Sequence, residues 1–236
     1  MKWRIFLALL SFVVLNSCSN GIYKKNKPFF KGTFLKIEKF VKIRACHPLN
    51  PKHCVTKTYN STASSFLVSH KKDKSYFITS GHVCHNDYGR LVYLPNFKTE
   101  EVIYGLDLNL KKYKYKVVSI DHGNDLCLLS SKRTKLKPYR VAKKRPHIGE
   151  TVYNIAAPQD IFSKGMAPLF IGMYSGYSHN RLVFTLPAIN GSSGSPILNE
   201  KGEVVGVVSA VTKNFPNIVI SSTLESVKEI ITHGIP

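Results

Sequence analysis

Short apolar, β-branched and aromatic runs recur every ten to fifteen residues from Phe34 to Ser221, and Gly, Pro, Asn and Lys separate them. Runs of that length suit strands, in which successive side chains face opposite ways. In the first half the candidates are Phe34–Arg44, Ser64–Ser69, Tyr76–Thr79, Leu91–Leu94, Lys116–Ile120 and Leu126–Ser130. In the second half they are Val152–Ala156, Phe170–Tyr174, Arg181–Leu186, Pro196–Leu198, Val204–Val211 and Ile218–Ser221. No long stretch of 3.6-residue periodicity interrupts them, so the order points to an all-β barrel or sandwich. A single helix is expected at about residues 223–232: Thr223 can cap it, Glu225 lies in its first turn, and Leu224, Val227, Ile230 and Ile231 share a face. A Lys/Arg/Pro-rich linker from Lys132 to about Pro146 divides two halves of similar size.

The first 17 residues read as an export signal. Lys2 and Arg4 precede an apolar run, Ile5 to Leu15, that is too short for a permanent bilayer span. Leu15-Asn16-Ser17-Cys18 resembles the lipobox of bacterial lipoproteins, which implies a lipidated Cys18 at the start of the mature chain. Residues 18–28 then read as a polar tether and 29–236 as the domain.

Removing the leader leaves 219 residues, enough for one large domain or two fused barrels. The 236-residue chain carries a formal charge of +20, scattered as pairs and triplets such as Lys71-Lys72, Lys111-Lys112 and Lys143-Lys144-Arg145. No aromatic-interleaved basic helix accompanies them, so specific nucleic-acid binding is not expected, and a general attraction to anionic surfaces is. Five cysteines leave four after Cys18, in keeping with an oxidising compartment. Cys46 and Cys54 bracket a turn-rich loop suited to a local disulfide, with zinc binding through His47 and His53 as the alternative.

Three segments carry chemistry. Asn190-Gly191-Ser192-Ser193-Gly194-Ser195-Pro196 sets a serine between glycine turns ahead of an apolar strand. A serine hydroxyl becomes a nucleophile only when its backbone is fixed and a base takes its proton. Glycines let the chain aim N–H groups at a carbonyl oxygen held against it. His82 ends the apolar run Tyr76-Phe77-Ile78 after the small residues Thr79-Ser80-Gly81, and its ordinary pKa suits proton exchange near neutrality. Asp125 heads the apolar strand Leu126-Cys127-Leu128-Leu129, where a carboxylate needs a partner, and the second ring nitrogen of His82 is a fitting one. Asp121 is the substitute acid.

These segments resemble the trypsin-like (chymotrypsin-fold) serine peptidases, in particular the bacterial Deg-type and glutamyl-endopeptidase branches. The likeness also includes Ala63-Ser64-Ser65-Phe66-Leu67-Val68, Ile148-Gly149-Glu150-Thr151-Val152-Tyr153 and Gly202-Glu203-Val204-Val205-Gly206-Val207, and it spans roughly residues 60 to 225. It implies two six-stranded antiparallel barrels, one at about 29–130 and one at about 146–222. It also implies His82 as general base, Asp125 as its orienting acid and Ser193 as nucleophile, in a chain order matching the serine-protease template. Gly191 and Ser193 would supply the oxyanion-hole N–H groups, with neither metal nor cofactor. Ser192 stands where zymogen-type members carry an acid, so activation by a freed N-terminus is not expected.

By the same resemblance the primary pocket involves Pro187, Ala188, Ser209, Ala210 and Val211. No acid lies among them, and a small or aliphatic P1 residue is expected, with His179 or Ser209 as the route to an acidic one. Cys84 and Cys127 each sit two residues beyond His82 and Asp125, and a disulfide between them would brace the catalytic pair; two buried free thiols are the alternative. The leading expectation is an exported, lipid-anchored serine endopeptidase acting on protein or peptide substrates. A catalytically inactive trypsin-fold binding module and a basic surface lipoprotein acting at a membrane or cell wall are the competing ones.

Overall fold

The computed structural model describes residues 32–212 and 215–236, so the expected leader and Cys18 lie outside the described residues. The first six strands are β1 (Phe34–His47), β2 (Asn50–Lys71), β3 (Lys74–Ser80), β4 (Lys98–Leu106), β5 (Lys112–Asp121) and β6 (Leu126–Lys132). They close into an antiparallel barrel in the order β1-β2-β3-β6-β5-β4. The next six are β7 (Thr151–Ile155), β8 (Leu169–Ser178), β9 (Arg181–Thr185), β10 (Pro196–Leu198), β11 (Val204–Thr212) and β12 (Phe215–Ser222). They close into a second barrel in the order β10-β11-β12-β9-β8-β7. A one-turn helix α1 (Gly81–Cys84) follows β3, and α2 (Leu224–Gly234) ends the chain, with the Thr223 side chain accepting from the Ser226 N–H at its start.

Each barrel has its own apolar interior. Leu35, Ile37, Leu67, Phe77 and Leu129 fill the first, and Val152, Leu182, Phe184, Ile197 and Val219 the second. A third cluster joins the two: Phe66, Ile78 and Leu128 meet Tyr153, Leu198 and Val207, and α2 adds Val227 and Ile230. Burying a side chain of this size is worth about 1.5–3 kcal/mol. The shared cluster therefore holds the two barrels against each other. The linker does not run free either. Tyr139, 3% exposed, packs in that cluster, and its N–H donates to the Leu67 carbonyl at 2.8 Å.

Two expectations fail. Leu91–Leu94 is not a strand: residues Gly89–Tyr93 form a 3-10 turn whose Leu91, Val92 and Tyr93 are exposed. The strand in that region is β4, which begins with the polar Lys98-Thr99-Glu100-Glu101 and pairs with β1 from Lys36↔Leu106 to Arg44↔Lys98. Strand β2 is also far longer than Ser64–Ser69. Its first part, including the exposed Val55 to Ser61, pairs with β1 but buries almost nothing, so it lacks the alternation that marks a half-buried strand. Cys46 and Cys54 face each other across this hairpin and form a disulfide.

Candidate active site

His82 sits in α1 at the end of β3, and its backbone N–H donates to Asp125 Oδ1 at 2.8 Å. Its Nδ1 lies 3.1 Å from Oδ1 and 3.0 Å from Oδ2 of the same carboxylate. Asp125 occupies the β5–β6 turn with φ +52, a left-handed conformation that Asp tolerates better than most residues. The second barrel holds this turn in place. Arg181 donates to the Asn124 carbonyl at 2.7 Å and the Gly123 carbonyl at 2.9 Å, and the Ser222 hydroxyl donates to Asn124 at 2.8 Å. Asp121, the substitute acid, instead accepts from the Asn124 N–H and side-chain amide, and so closes the turn.

A further hydroxyl reaches the acid. Ser209 Oγ, expected in the pocket wall, donates to Asp125 Oδ2 at 2.5 Å. The reason is a bulge: the β11–β12 register shifts between Val208 and Ala210, so Ser209 leaves the strand's alternation and turns toward the first barrel. Burial pushes the Asp125 carboxyl up, but the bonds from His82 and Ser209 and the charge of His82 outweigh it. The net result is a pKa below the ordinary carboxylate value.

Behind α1 lies a buried cation. Lys39, 3% exposed, donates to the Val83 carbonyl at 2.8 Å and to Asn86 Oδ1 at 2.9 Å. Burial lowers its pKa, and Glu101, 3.5 Å away, partly offsets that. The structure also joins Cys84 to Cys127, which ties α1 to β6 just beyond His82 and Asp125.

Ser193 is half-buried in the turn that follows β9. The Gly194 N–H donates to the Val208 carbonyl at 2.8 Å, and the Ser80 hydroxyl donates to that same carbonyl at 2.6 Å. One acceptor therefore fixes the serine turn and the chain two residues before His82. Gly191 (φ +96) and Gly194 (φ +82) need glycine: a Cβ on the first would strike the Ala157 carbonyl, and on the second Thr79 Oγ1.

Ser64, fully buried in β2, supports this turn from the other barrel. Its N–H donates to the Ser193 carbonyl at 2.8 Å, its Oγ donates to the Gly191 carbonyl at 2.8 Å, and the Ala157 N–H donates to that Oγ at 3.2 Å. The Asn190 carbonyl accepts from Gln159 and the Ser192 carbonyl from Ser195. In a trans peptide the following N–H points the other way. The Gly191 and Ser193 N–H groups are thus turned from those partners, and among the described residues neither has an acceptor.

The remaining predicted residues fall as follows. Ser192 is buried, with its Oγ accepting from the Ile189 N–H, and Ser195 is buried with its Oγ accepting from Asn154. Ala188 packs in the second-barrel core and Val211 packs against it, whereas Pro187 and Ala210 are exposed. His179 lies at the β8–β9 turn, hydrogen-bonded to Ser178. Among the described residues no cluster of three or more His, Cys, Asp or Glu could hold a metal ion. No local sequence signal marks Ser64, Lys39 or Arg181 as part of the site, because their partners lie far along the chain.

A double barrel with a carboxylate-bound histidine after a strand of the first barrel and a glycine-bounded serine turn in the second, tied together through the Val208 carbonyl, defines a peptidase-type domain. The model of the trypsin-like peptidase domain matches residues 63–207, more than half of the chain, and the chain belongs to that family. Among solved structures, the serine endoprotease from Yersinia pestis is similar at 19% identity with a TM-score of 0.61, over 83% of this chain and 62% of that one. This likeness is one of fold, and the chain spans only 62% of the length of that protein. No curated protein matches.

Proposed function

We propose that the chain is an exported serine endopeptidase. In this reading the His82 Nδ1 is held by Asp125, which leaves Nε2 to take the Ser193 proton as Oγ attacks the peptide carbonyl. The tetrahedral oxyanion sits against the Gly191 and Ser193 N–H groups. Collapse expels the amine, which leaves with the proton returned from His82, and water then releases the acyl group by the same route. The observation that carries the reading is the Val208 carbonyl, shared by Ser80 and Gly194, which sets the serine turn against the strand end bearing His82. The motifs around His82, Asp125 and Ser193 resemble those of the Deg-type and glutamyl-endopeptidase branches. Ala188 and Val211, apolar and uncharged, favour a small or aliphatic P1 residue.

A fluorophosphonate probe tests the chemistry. Labelling of the wild-type chain that disappears in Ser193→Ala supports the proposal, and absence of wild-type labelling across pH 5–9 rejects it. Export and anchoring rest on the leader through Ser17 and on Cys18. Metabolic palmitate labelling that persists in Cys18→Ala would refute the anchor.

A further inference from the structure

On the first barrel, away from the site, a groove of about 830 Å³ runs across the ends of β3, β5 and β6. Lys112, Lys114 and Lys116 line it from β5, with Lys111 just ahead of that strand. Lys74, Lys132, Arg133 and Lys135 complete a set of eight cations, and Asp73 is the one carboxylate in the lining. Lysine-rich composition alone does not explain this. A second groove of about 680 Å³ near the linker sets Lys143, Lys144, Arg145 and Lys201 against Glu150, Glu200 and Glu203. That groove is nearly balanced; the first is not.

Two further features mark the first groove as unfinished without a counter-charge. Lys74 and Lys132 stand directly opposite each other in the β3–β6 ladder, a like-charge placement that costs stability. Glu38 pairs with Lys112 at 2.9 Å, but among the described residues Lys74, Lys114, Lys116, Lys132 and Lys135 have no carboxylate partner.

We infer that this groove binds an extended acidic peptide segment. Lys112, Lys114 and Lys116 repeat every second residue and are all exposed, so they share one face at about 6.6 Å intervals. An extended peptide presents alternate carboxylates at the same spacing. A nucleic acid fits less well, because single strands are held by stacking bases on aromatic rings. Tyr113, the aromatic residue in the lining, has Lys111 Nζ over its ring at 5.6 Å and donates its hydroxyl to Asp107. A concave floor also fits a chain better than a flat lipid surface. Lys132 ends the strand that Asp125 precedes, about 20 Å along β6, so the groove is an exosite separate from the cleft.

Fluorescence anisotropy of labelled deca-glutamate with full-length Ser193→Ala protein tests this without requiring catalysis. We expect binding at 50 mM salt, weakened at least tenfold at 300 mM because exposed charges are screened. Lys114→Glu/Lys116→Glu/Lys132→Glu should weaken it at least tenfold, and Lys143→Glu/Lys144→Glu/Lys201→Glu, with the same change in net charge, less than threefold. Amide exchange should show peptide-dependent protection over residues 111–116 and 130–136. Equal weakening by the two triple variants, no binding by the parent, or tighter binding of deca-thymidylate or phosphatidylserine vesicles through the same lysines would overturn the inference. Lys114→Gln/Lys132→Gln provides a milder variant, and its failure to weaken binding counts against the groove as well.

Discussion

Ser209 and Asp125, 84 residues apart in the chain, are joined by a hydrogen bond of 2.5 Å that crosses from the second barrel to the first. The carboxylate accepts at the same time from the backbone and ring of His82, so a single acid gathers a strand bulge, a helical turn and a loop. The site is thus assembled from both barrels, and its geometry depends on how they pack.

Ser209→Ala removes one donor from an ionised acceptor, a loss of about 1.5–3 kcal/mol where the bond is buried and charge-assisted. The half-buried Asp125 keeps its two His82 contacts, so we expect the low end, roughly a tenfold fall in kcat/KM. The Asp125 carboxyl should titrate at a higher pH in the variant, read by carboxyl carbon NMR, as it loses part of what lowers its pKa. An unchanged Asp125 titration would show that the Ser209 bond does not tune the acid.

Asp125 also makes stability depend on pH. Its native pKa lies below the ordinary value, so the carboxylate favours the folded state above about pH 4. That contribution is lost as the pH falls through the native pKa. Asp125→Asn should therefore melt below wild type at pH 7, and the gap in Tm should narrow as the pH drops below about 4. A gap constant from pH 7 to pH 3 would contradict the linkage.

The Cys84–Cys127 bond closes a loop of 43 residues, for which the chain-entropy estimate is about 4 kcal/mol. Cys84→Ala/Cys127→Ala should lower Tm by roughly 10 °C, at about 2–4 °C per kcal/mol for a domain of this size. Loss of the tip bond Cys46–Cys54, with a separation of eight and an exposed hairpin around it, should cost less. Thermal melts of the two double variants, compared with reduced wild type, check the order.

The barrel class was legible because its core strands are written as short continuous apolar runs, and Leu126–Lys132 and Val204–Thr212 are each buried over their first six residues. His82, Asp125 and the Ser193 turn were legible because tight placement demands small neighbours, and Thr79-Ser80-Gly81 and Gly191/Gly194 are written locally. Elements that gain stability only from main-chain pairing were not. The first part of β2 and the polar start of β4 bury little and carry no period. Leu91–Leu94 misled for the converse reason, being an apolar run that remains exposed. The Ser209–Asp125 bond was not legible because Ser209 sits where the β11–β12 register shifts, which no local pattern announces.

Ser64→Ala tests the support beneath the serine turn. It strands the Gly191 carbonyl and the Ala157 N–H, both otherwise satisfied by one buried hydroxyl. Each unpaired group costs about 1–3 kcal/mol. The backbone bond from Ser64 to Ser193 survives, so the fold should persist at a lower Tm. Because Gly191, whose own N–H is one of the proposed oxyanion donors, loses the bond that fixes its carbonyl, kcat should fall roughly 10- to 100-fold with KM nearly unchanged. A rise in KM at constant kcat would instead place Ser64 in substrate binding.

Arg181 acts one step further out. Its guanidinium grips two carbonyls of the turn that holds Asp125 in a left-handed conformation, strain of about 1–2 kcal/mol that the surroundings must sustain. A lysine can reach one carbonyl but cannot present the fork. Arg181→Lys should thus retain most of the fold while loosening Asp125 against His82. We expect kcat/KM to fall about tenfold, Arg181→Met to fall further, and the His82 Nδ1 proton resonance to broaden in both. A structural role confined to the second barrel would lower Tm but leave that resonance sharp, since Arg181 does not touch His82. The same spectrum measures whether the barrels, rather than the local sequence around each residue, set the histidine–acid geometry.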